Sequence, residues 1–365
     1  MRTMMRYFTL LVVLILVFSL SLALKFFLLN IGGKVKIKKE ITNWYKLQRN
    51  ISSTQQKHSL KKEIDVENQN QKRNFDNVMN YDVQYTPHIT KELYISGYMI
   101  NNSDACNDKS ENVMVTILVI SAPGHFVERE AIRTSWGEIK ERKEVVFSFI
   151  VGLSDNNTLD KAVIEESNKN GDLIVNNIED LYQNLSLKTL SAFVWFKKFC
   201  HNSKFLLKVD DDVFVHLNKL LELIQVLLKT NTRQRSITGH IVKNWKPVRN
   251  QKSKYRITEA EHPGDAYPDF ATGPSYLVSQ QAVEEIIPVA MEHRYIHLED
   301  VFLTGIVADI LGIARVNNQQ FEKYATKKVP IKKMGCMLKY TITVHWVHPQ
   351  DQKKLQKLAL NQYCN

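Results

Sequence analysis

The sequence predicts an α/β fold with a mostly parallel central sheet. Three observations carry that prediction. Residues 113–120, 145–151 and 205–209 are short apolar runs without polar alternation, the pattern of strands buried on both faces. Segments of helical period separate them, so strand and helix alternate along the chain. The acidic triplet Asp210-Asp211-Asp212 follows one of these strands directly, at the carboxyl end where open α/β sheets bind ligands.

The chain has 365 residues, 44% apolar and 24% charged, which suits a globular protein with a real core. Its formal charge is +11. Much of the excess is local, in Lys34, Lys36, Lys38, Lys39, Lys57, Lys61 and Lys62. With no zinc-finger spacing, arginine-rich helix or aromatic RNA-binding signature, nucleic acid is not an expected partner.

Taken in order, residues 1–6 form a short tail with Arg2 and Arg6, and residues 7–29 are almost wholly apolar, interrupted by Lys25. That length spans a bilayer if Lys25 snorkels to the headgroups. A cleaved signal peptide is the competing reading, with Ser21 and Ala23 as its small-residue site. The lysines at 34–39 rival the two arginines, so the positive-inside rule does not fix orientation. Four glycosylation sequons, at Asn50, Asn101, Asn156 and Asn184, lie downstream. The four cysteines (106, 200, 336 and 364) are even in number and widely spaced, which fits structural disulfides better than a zinc site. These features predict a type II membrane protein whose bulk faces an oxidising lumen. Residues 30–105 are polar and poor in periodicity, a stem, although 93–100 is apolar enough to pack on the next domain.

The folded domain is expected over 106–365. After the strand at 113–120, Ser121-Ala-Pro-Gly124 breaks the pattern and 126–136 reads as helix. A strand at 145–151, a helix at 160–169 and a strand starting at 172 come next. Residues 185–199 form an amphipathic helix, with Leu185, Leu190, Phe193, Val194 and Phe196 facing the core. Beyond the strand at 205–209 and the triplet come a helix at 218–228 and a strand at 237–242. Residues 244–268 are an irregular segment of the kind that carries substrate contacts. Helices at 282–291 and 301–311, a strand at 342–347 and a helix at 351–360 complete the chain.

Four groupings carry chemistry. Three adjacent carboxylates between apolar segments repel one another and call for a neutralising partner; a hard divalent cation that keeps open positions for phosphate supplies it. A solvated acidic turn is the plainer alternative. Arg129 and Arg133 stand four apart on one helix face, as a phosphate fork or as members of a surface ion-pair helix with Glu128 and Glu130. Glu299-Asp300 opens a helix, either as a general base or as ordinary capping. His345 lies in an apolar strand, either as a core residue or as a metal ligand.

Five stretches in order, Arg129–Trp136, Tyr182–Thr189, Lys208–Val215, Tyr267–Ser275 and Glu299–Gly305, resemble the β-1,3-galactosyltransferase and β-1,3-N-acetylglucosaminyltransferase family, glycosyltransferase family 31. The resemblance covers about residues 106–364. It implies a GT-A-type nucleotide-sugar-binding fold and an inverting hexosyltransferase in the Golgi membrane. The donor would be a UDP-sugar, the cofactor Mn²⁺, and the acceptor the 3-hydroxyl of a glycan. It also implies that Asp210, Asp211 and Asp212 form the donor-binding acidic motif, with Asp212 and His345 on the metal. Asp300 would be the base, and Arg129, Arg133 and Lys188 would contact or frame the nucleotide. The disulfides it suggests are Cys106–Cys200 and Cys336–Cys364. Two departures, Asn176–Asp180 and Pro274 in the small-residue run, lie near donor or acceptor surfaces and bear on sugar identity. Two other classes stay open. One is a phosphatase using the acidic cluster, against which Phe214 stands two positions after Asp212; the other is a silent sugar-binding relative.

Overall fold

The computed structural model describes residues 88–107, 113–138, 142–230, 235–322, 330 and 334–361. The anchor at 7–29, the stem through residue 87, Asn50 and Cys364 lie outside the described residues. Among the described residues, no helix is long and apolar enough to cross a membrane.

An eight-stranded sheet forms the frame: β1 (Tyr98–Ile100), β2 (Val115–Ile120), β3 (Val145–Leu153), β4 (Leu173–Glu179), β5 (Phe205–Asp210), β7 (Ser236–Val242), β8 (Phe270–Ser279) and β9 (Ala314–Asn317), in the order β1-β4-β3-β2-β5-β8-β7-β9. β4, β3, β2 and β5 run parallel, as do β7 and β9. β1 and β8 run against their neighbours.

Alternate residues of the parallel strands enter opposite cores. Leu118, Ile120, Val146, Ile150 and Leu206 face one side; Ile117, Val119, Phe147, Phe149 and Leu207 face the other. This two-sided burial is why these strands are continuously apolar. The first face is covered by α3 (Leu185–Phe199), α5 (Gln280–Glu292) and the helix at Asp300–Val307. The second is covered by α1 (Phe126–Arg133), α2 (Asn157–Asn170), α4 (Leu217–Lys229) and α6 (Pro349–Asn361). α2 begins at Asn156, whose side chain accepts the Thr158 and Leu159 amides, and ends at Gly171 with φ +62°, a left-handed cap suited to glycine.

The structure departs from the sequence expectations in several places. Residues 98–100, assigned to the stem, form the edge strand β1, and the Cys106–Cys200 disulfide ties this segment to the end of α3. β8 has no counterpart in the sequence reading. Its Gly273 and Pro274 obscure a strand that lies between β5 and β7. The helix expected at 301–311 is a π-helix over Asp300–Val307 followed by Ala308–Ile310. Its Thr304 hydroxyl donates to the Asp300 carbonyl and accepts the Ala271 amide. The last strand is shorter than 342–347. It is β11 (Thr343–Val344), between β6 (Phe214–Val215) and β10 (Phe321–Glu322) in a second, three-stranded sheet.

Candidate active site

The triplet leaves the carboxyl end of β5, and each of its three carboxylates meets a partner from a different part of the chain. Lys208, two residues earlier on the same strand face, donates Nζ to Asp210 Oδ1 at 2.6 Å. His125 Nδ1 lies 2.8 Å from Asp211 Oδ2. His345 Nε2 lies 3.2 Å from Asp212 Oδ2. The second sheet brings His345 there. β6 and β11 pair antiparallel with Val344 opposite Phe214, and the Val347 amide donates to the Asp212 carbonyl at 2.8 Å. Trp346 follows with φ +59° and stacks on the His345 ring at 4.5 Å. A left-handed backbone is uncommon for so bulky a residue and persists where surrounding structure enforces it.

Beneath the triplet lies a buried network. Lys208 Nζ also donates to the Gly273 carbonyl at 2.6 Å and pairs with Glu299 Oε1 at 2.9 Å. Tyr276 donates its hydroxyl to Glu299 Oε2 at 2.8 Å. One ammonium thus serves two carboxylates. Burial pulls Lys208 down, but Asp210 and Glu299 outweigh it and hold the ammonium above its usual range. Burial pushes the Glu299 carboxyl up to about 7, with Lys208 opposing. Burial also raises Asp210, again against Lys208.

Asp300 occupies the first turn of the π-helix beside Glu299. Its carboxylate accepts the Gly273 amide at 2.8 Å and the Val301 amide at 2.9 Å. A Cβ at Gly273 would meet Asp300 Oδ2 at 3.2 Å and Glu299 Oε1 at 3.4 Å. The glycine therefore permits the close approach of β8 to both acids. Facing these acids is an aromatic cluster. The rings of Tyr182 and Tyr255 meet edge to face at 6.4 Å, His297 packs on Tyr182, and Lys254 Nζ lies about 5 Å over both tyrosines. Burial raises the Tyr182 phenol, with Tyr255, Asp300, Glu299 and Asp210 adding to it.

Arg129, Arg133 and Lys188 frame this site from behind. Arg129 is wholly buried, and its five N–H donors go to Glu166, Ser121 Oγ and the Ala122 and Pro123 carbonyls. None remains for a nucleotide; the residue shapes the loop after β2. Arg133 forks onto Asp172 at 2.9 Å and pairs with Glu166 at 2.7 Å. Lys188 donates to the Ser121 carbonyl and pairs with Asp180. Lys208, Tyr276, Gly273, His125 and the Tyr182–Tyr255 pair carry site geometry that the sequence reading left unassigned. For Lys208 the signal was present: a lysine two positions before an acid on a strand shares its face. Among the described residues no group of three or more His, Cys, Asp or Glu side chains converges on a metal position, so Asp212 and His345 stand as a pair.

Of the sequons, Asn101 and Asn156 are exposed, while Asn184 is half-buried and donates its amide to the Glu179 carbonyl. Cys336 is exposed.

Residues 127–319 match the family described as Galactosyltransferase. The Beta-1,3-galactosyltransferase 1 proteins of Mus musculus and Homo sapiens are each 32% identical over 266 residues, covering 71% of this chain and 77% of the relative. Beta-1,3-galactosyltransferase 5 of Homo sapiens is 36% identical over 203 residues, covering 54% of this chain and 64% of the relative. Among solved structures, the galactosyltransferase LgtC with donor and acceptor sugar analogues superposes with TM-score 0.34 and 12% identity over 68% of this chain and 97% of that one. A likeness that weak carries no functional weight. The family match and the 32% identity over 77% of a relative are sufficient: the chain belongs to the galactosyltransferase family, the β-1,3-galactosyltransferase group of glycosyltransferase family 31.

Proposed function

We propose that this protein transfers galactose or N-acetylglucosamine from a UDP-sugar to the 3-hydroxyl of an acceptor glycan, with inversion, on a GT-A-type fold. The observation that carries this is the placement of Asp212, just past the carboxyl end of β5, and Asp300, bonded to Gly273 of the neighbouring strand β8. Lys208 bonds the triplet's first acid and Glu299 together, so a carboxylate suited to deprotonation and an acid–imidazole pair belong to one cradle.

Asp212 and His345 fit a divalent cation. A carboxylate oxygen and an imidazole nitrogen lie 3.2 Å apart, and Mn²⁺ accepts both donor types while leaving positions for phosphate oxygens. When bound, the ion stabilises the negative charge that develops on the departing UDP. The chain supplies the rest. Asp300, held by the Gly273 and Val301 amides, takes the proton from the acceptor hydroxyl as that oxygen attacks. One carboxylate base with no enzyme nucleophile gives inversion. Tyr182 and Tyr255 present aromatic edges and faces beside Asp300, a surface suited to the acceptor sugar. The same reading places the protein as a single-pass type II protein of the Golgi membrane, anchored through residues 7–29.

The test uses purified protein with UDP-Gal, UDP-GlcNAc and UDP-GalNAc, with and without Mn²⁺. Asp212→Ala and Asp300→Ala should each abolish transfer, while Mn²⁺-dependent UDP binding measured by calorimetry survives in the Asp300 variant and fails in the Asp212 variant. Full turnover in metal-free buffer would overturn the mechanism.

A further inference from the structure

Two of the triplet's partners have a place in the reading above: Lys208 neutralises Asp210, and His345 stands with Asp212. The third, His125 on Asp211, has none. It comes from the loop after β2, and β2 lies beside β5 with Ile120 opposite Asp210, so the loop overhangs the triplet. That loop is fixed from beneath by Arg129, which bonds Ser121, Ala122 and Pro123, and by Lys188, which bonds the Ser121 carbonyl. A half-exposed histidine at the tip of a loop so firmly held is not a product of loose surface geometry.

The chemistry of the pair fixes the ring. An ionised carboxylate only accepts hydrogen bonds, so Nδ1 facing Asp211 carries a proton. Nε2, on the far side of the ring, then presents a lone pair or a second N–H. Among the described residues no other group bonds it. The Asp211 side chain is 11% exposed and that of His125 50%, so the carboxylate sits inside and the imidazole outside. This is the arrangement by which a carboxylate orients a histidine toward something else. It also addresses an electrostatic difficulty. Asp211 alone would repel a diphosphate, and an imidazolium between them, donating Nδ1–H to Asp211 and Nε2–H to a phosphate oxygen, offsets that repulsion.

We propose that His125 is a donor-binding residue whose Nε2 contacts an oxygen of the nucleoside diphosphate, with Asp211 as the group that positions it. The inference rests on the UDP-sugar reading of the site. It adds a recognition contact from the first βα loop, and it gives Asp211 a role separate from the metal.

Asparagine and glutamine substitutions separate the two ring nitrogens. His125→Asn places an amide where Nδ1 stood and keeps the bond to Asp211. His125→Gln reaches the Nε2 position. UDP binding to the full chain is measured by calorimetry in Mn²⁺ buffer, with donor KM and kcat measured alongside and thermal unfolding used to confirm folding. The proposal expects His125→Asn to weaken UDP about tenfold and raise donor KM by a similar factor at near-constant kcat. His125→Gln should stay within about threefold of the parent. If His125→Asn binds UDP as the parent does, His125 serves Asp211 alone; if both variants lose affinity equally, an N–H at the Nε2 position is not the contact; either result overturns the proposal. If the unsubstituted protein binds no UDP, the functional reading itself fails, a result distinct from either.

Discussion

Lys208 Nζ stands 2.9 Å from Glu299 Oε1 while also bonding Asp210, so one buried ammonium joins two acidic motifs that lie far apart in sequence. Lys208→Met would leave Glu299 buried without its counter-charge. The loss of one partner from a buried pair costs about 3–5 kcal/mol, and urea denaturation should show it. Lys208→Met with Glu299→Gln should recover a large part, because the pair is coupled. Strict additivity of the two substitutions would show that they do not interact.

Glu299 also makes stability depend on pH. Its carboxyl is raised from 4.5 to about 7 by burial, so the folded protein holds that proton more tightly than the unfolded chain does. The associated stability is complete below about pH 4.5 and is lost as pH rises through 7. The unfolding free energy of the parent, relative to Glu299→Gln, should therefore fall across that interval by on the order of 3 kcal/mol. Denaturation curves taken at half-unit steps would check this; a flat difference would mean that Glu299 does not titrate there.

Arg129 is the second buried cation to test. Arg129→Ala should cost about 3–5 kcal/mol, because it removes one of Glu166's two cations, Arg133 being the other, and leaves Ser121 and the Ala122 and Pro123 carbonyls without their donor. Arg129→Lys should recover less than half, since three donors on a flexible stem cannot replace a fork of five. Both should appear as lowered thermal midpoints. An unchanged midpoint in Arg129→Lys would show that charge alone holds the loop.

The sequons should differ in occupancy. Asn184 donates its amide to the Glu179 carbonyl, and its Ser186 is buried against the Ile296 carbonyl. A glycan there would replace one of the two N–H groups on that nitrogen and crowd the first bond. Glycopeptide mapping should find sugar at Asn101 and Asn156 and little at Asn184. Full occupancy at Asn184 would require the turn at 182–184 to rearrange.

Much of this architecture was legible because burial on two faces leaves a strand no choice but continuous apolar sequence. That is why β2, β3 and β5 stood out, and why 185–199 matched α3 at both ends. β8 hid for the opposite reason. Residues 270–275 must approach two carboxylates, and the glycine that permits this erases the strand signal. The triplet announced a need for positive charge, and Lys208 two positions earlier on the same strand was one legible source, but proximity to His125 and His345 is a property of sheet order and pairing. Arg129 read either as a phosphate fork or as part of a surface ion-pair helix because spacing reports a shared helix face and says nothing of which way that face points.

The triplet's three separate partners have a consequence for how the site comes into being. In an unfolded chain Asp210, Asp211 and Asp212 are adjacent like charges with little to relieve them. Relief for Asp211 waits on the β2–β5 pairing, and for Asp212 on β11, near the end of the chain. A growing polypeptide therefore carries Asp212 without its imidazole partner until almost the last element docks. A chain shortened before residue 343 should keep much of the large sheet yet lack His345 beside Asp212, and so, on the function proposed above, fold as a scaffold without a finished donor cradle.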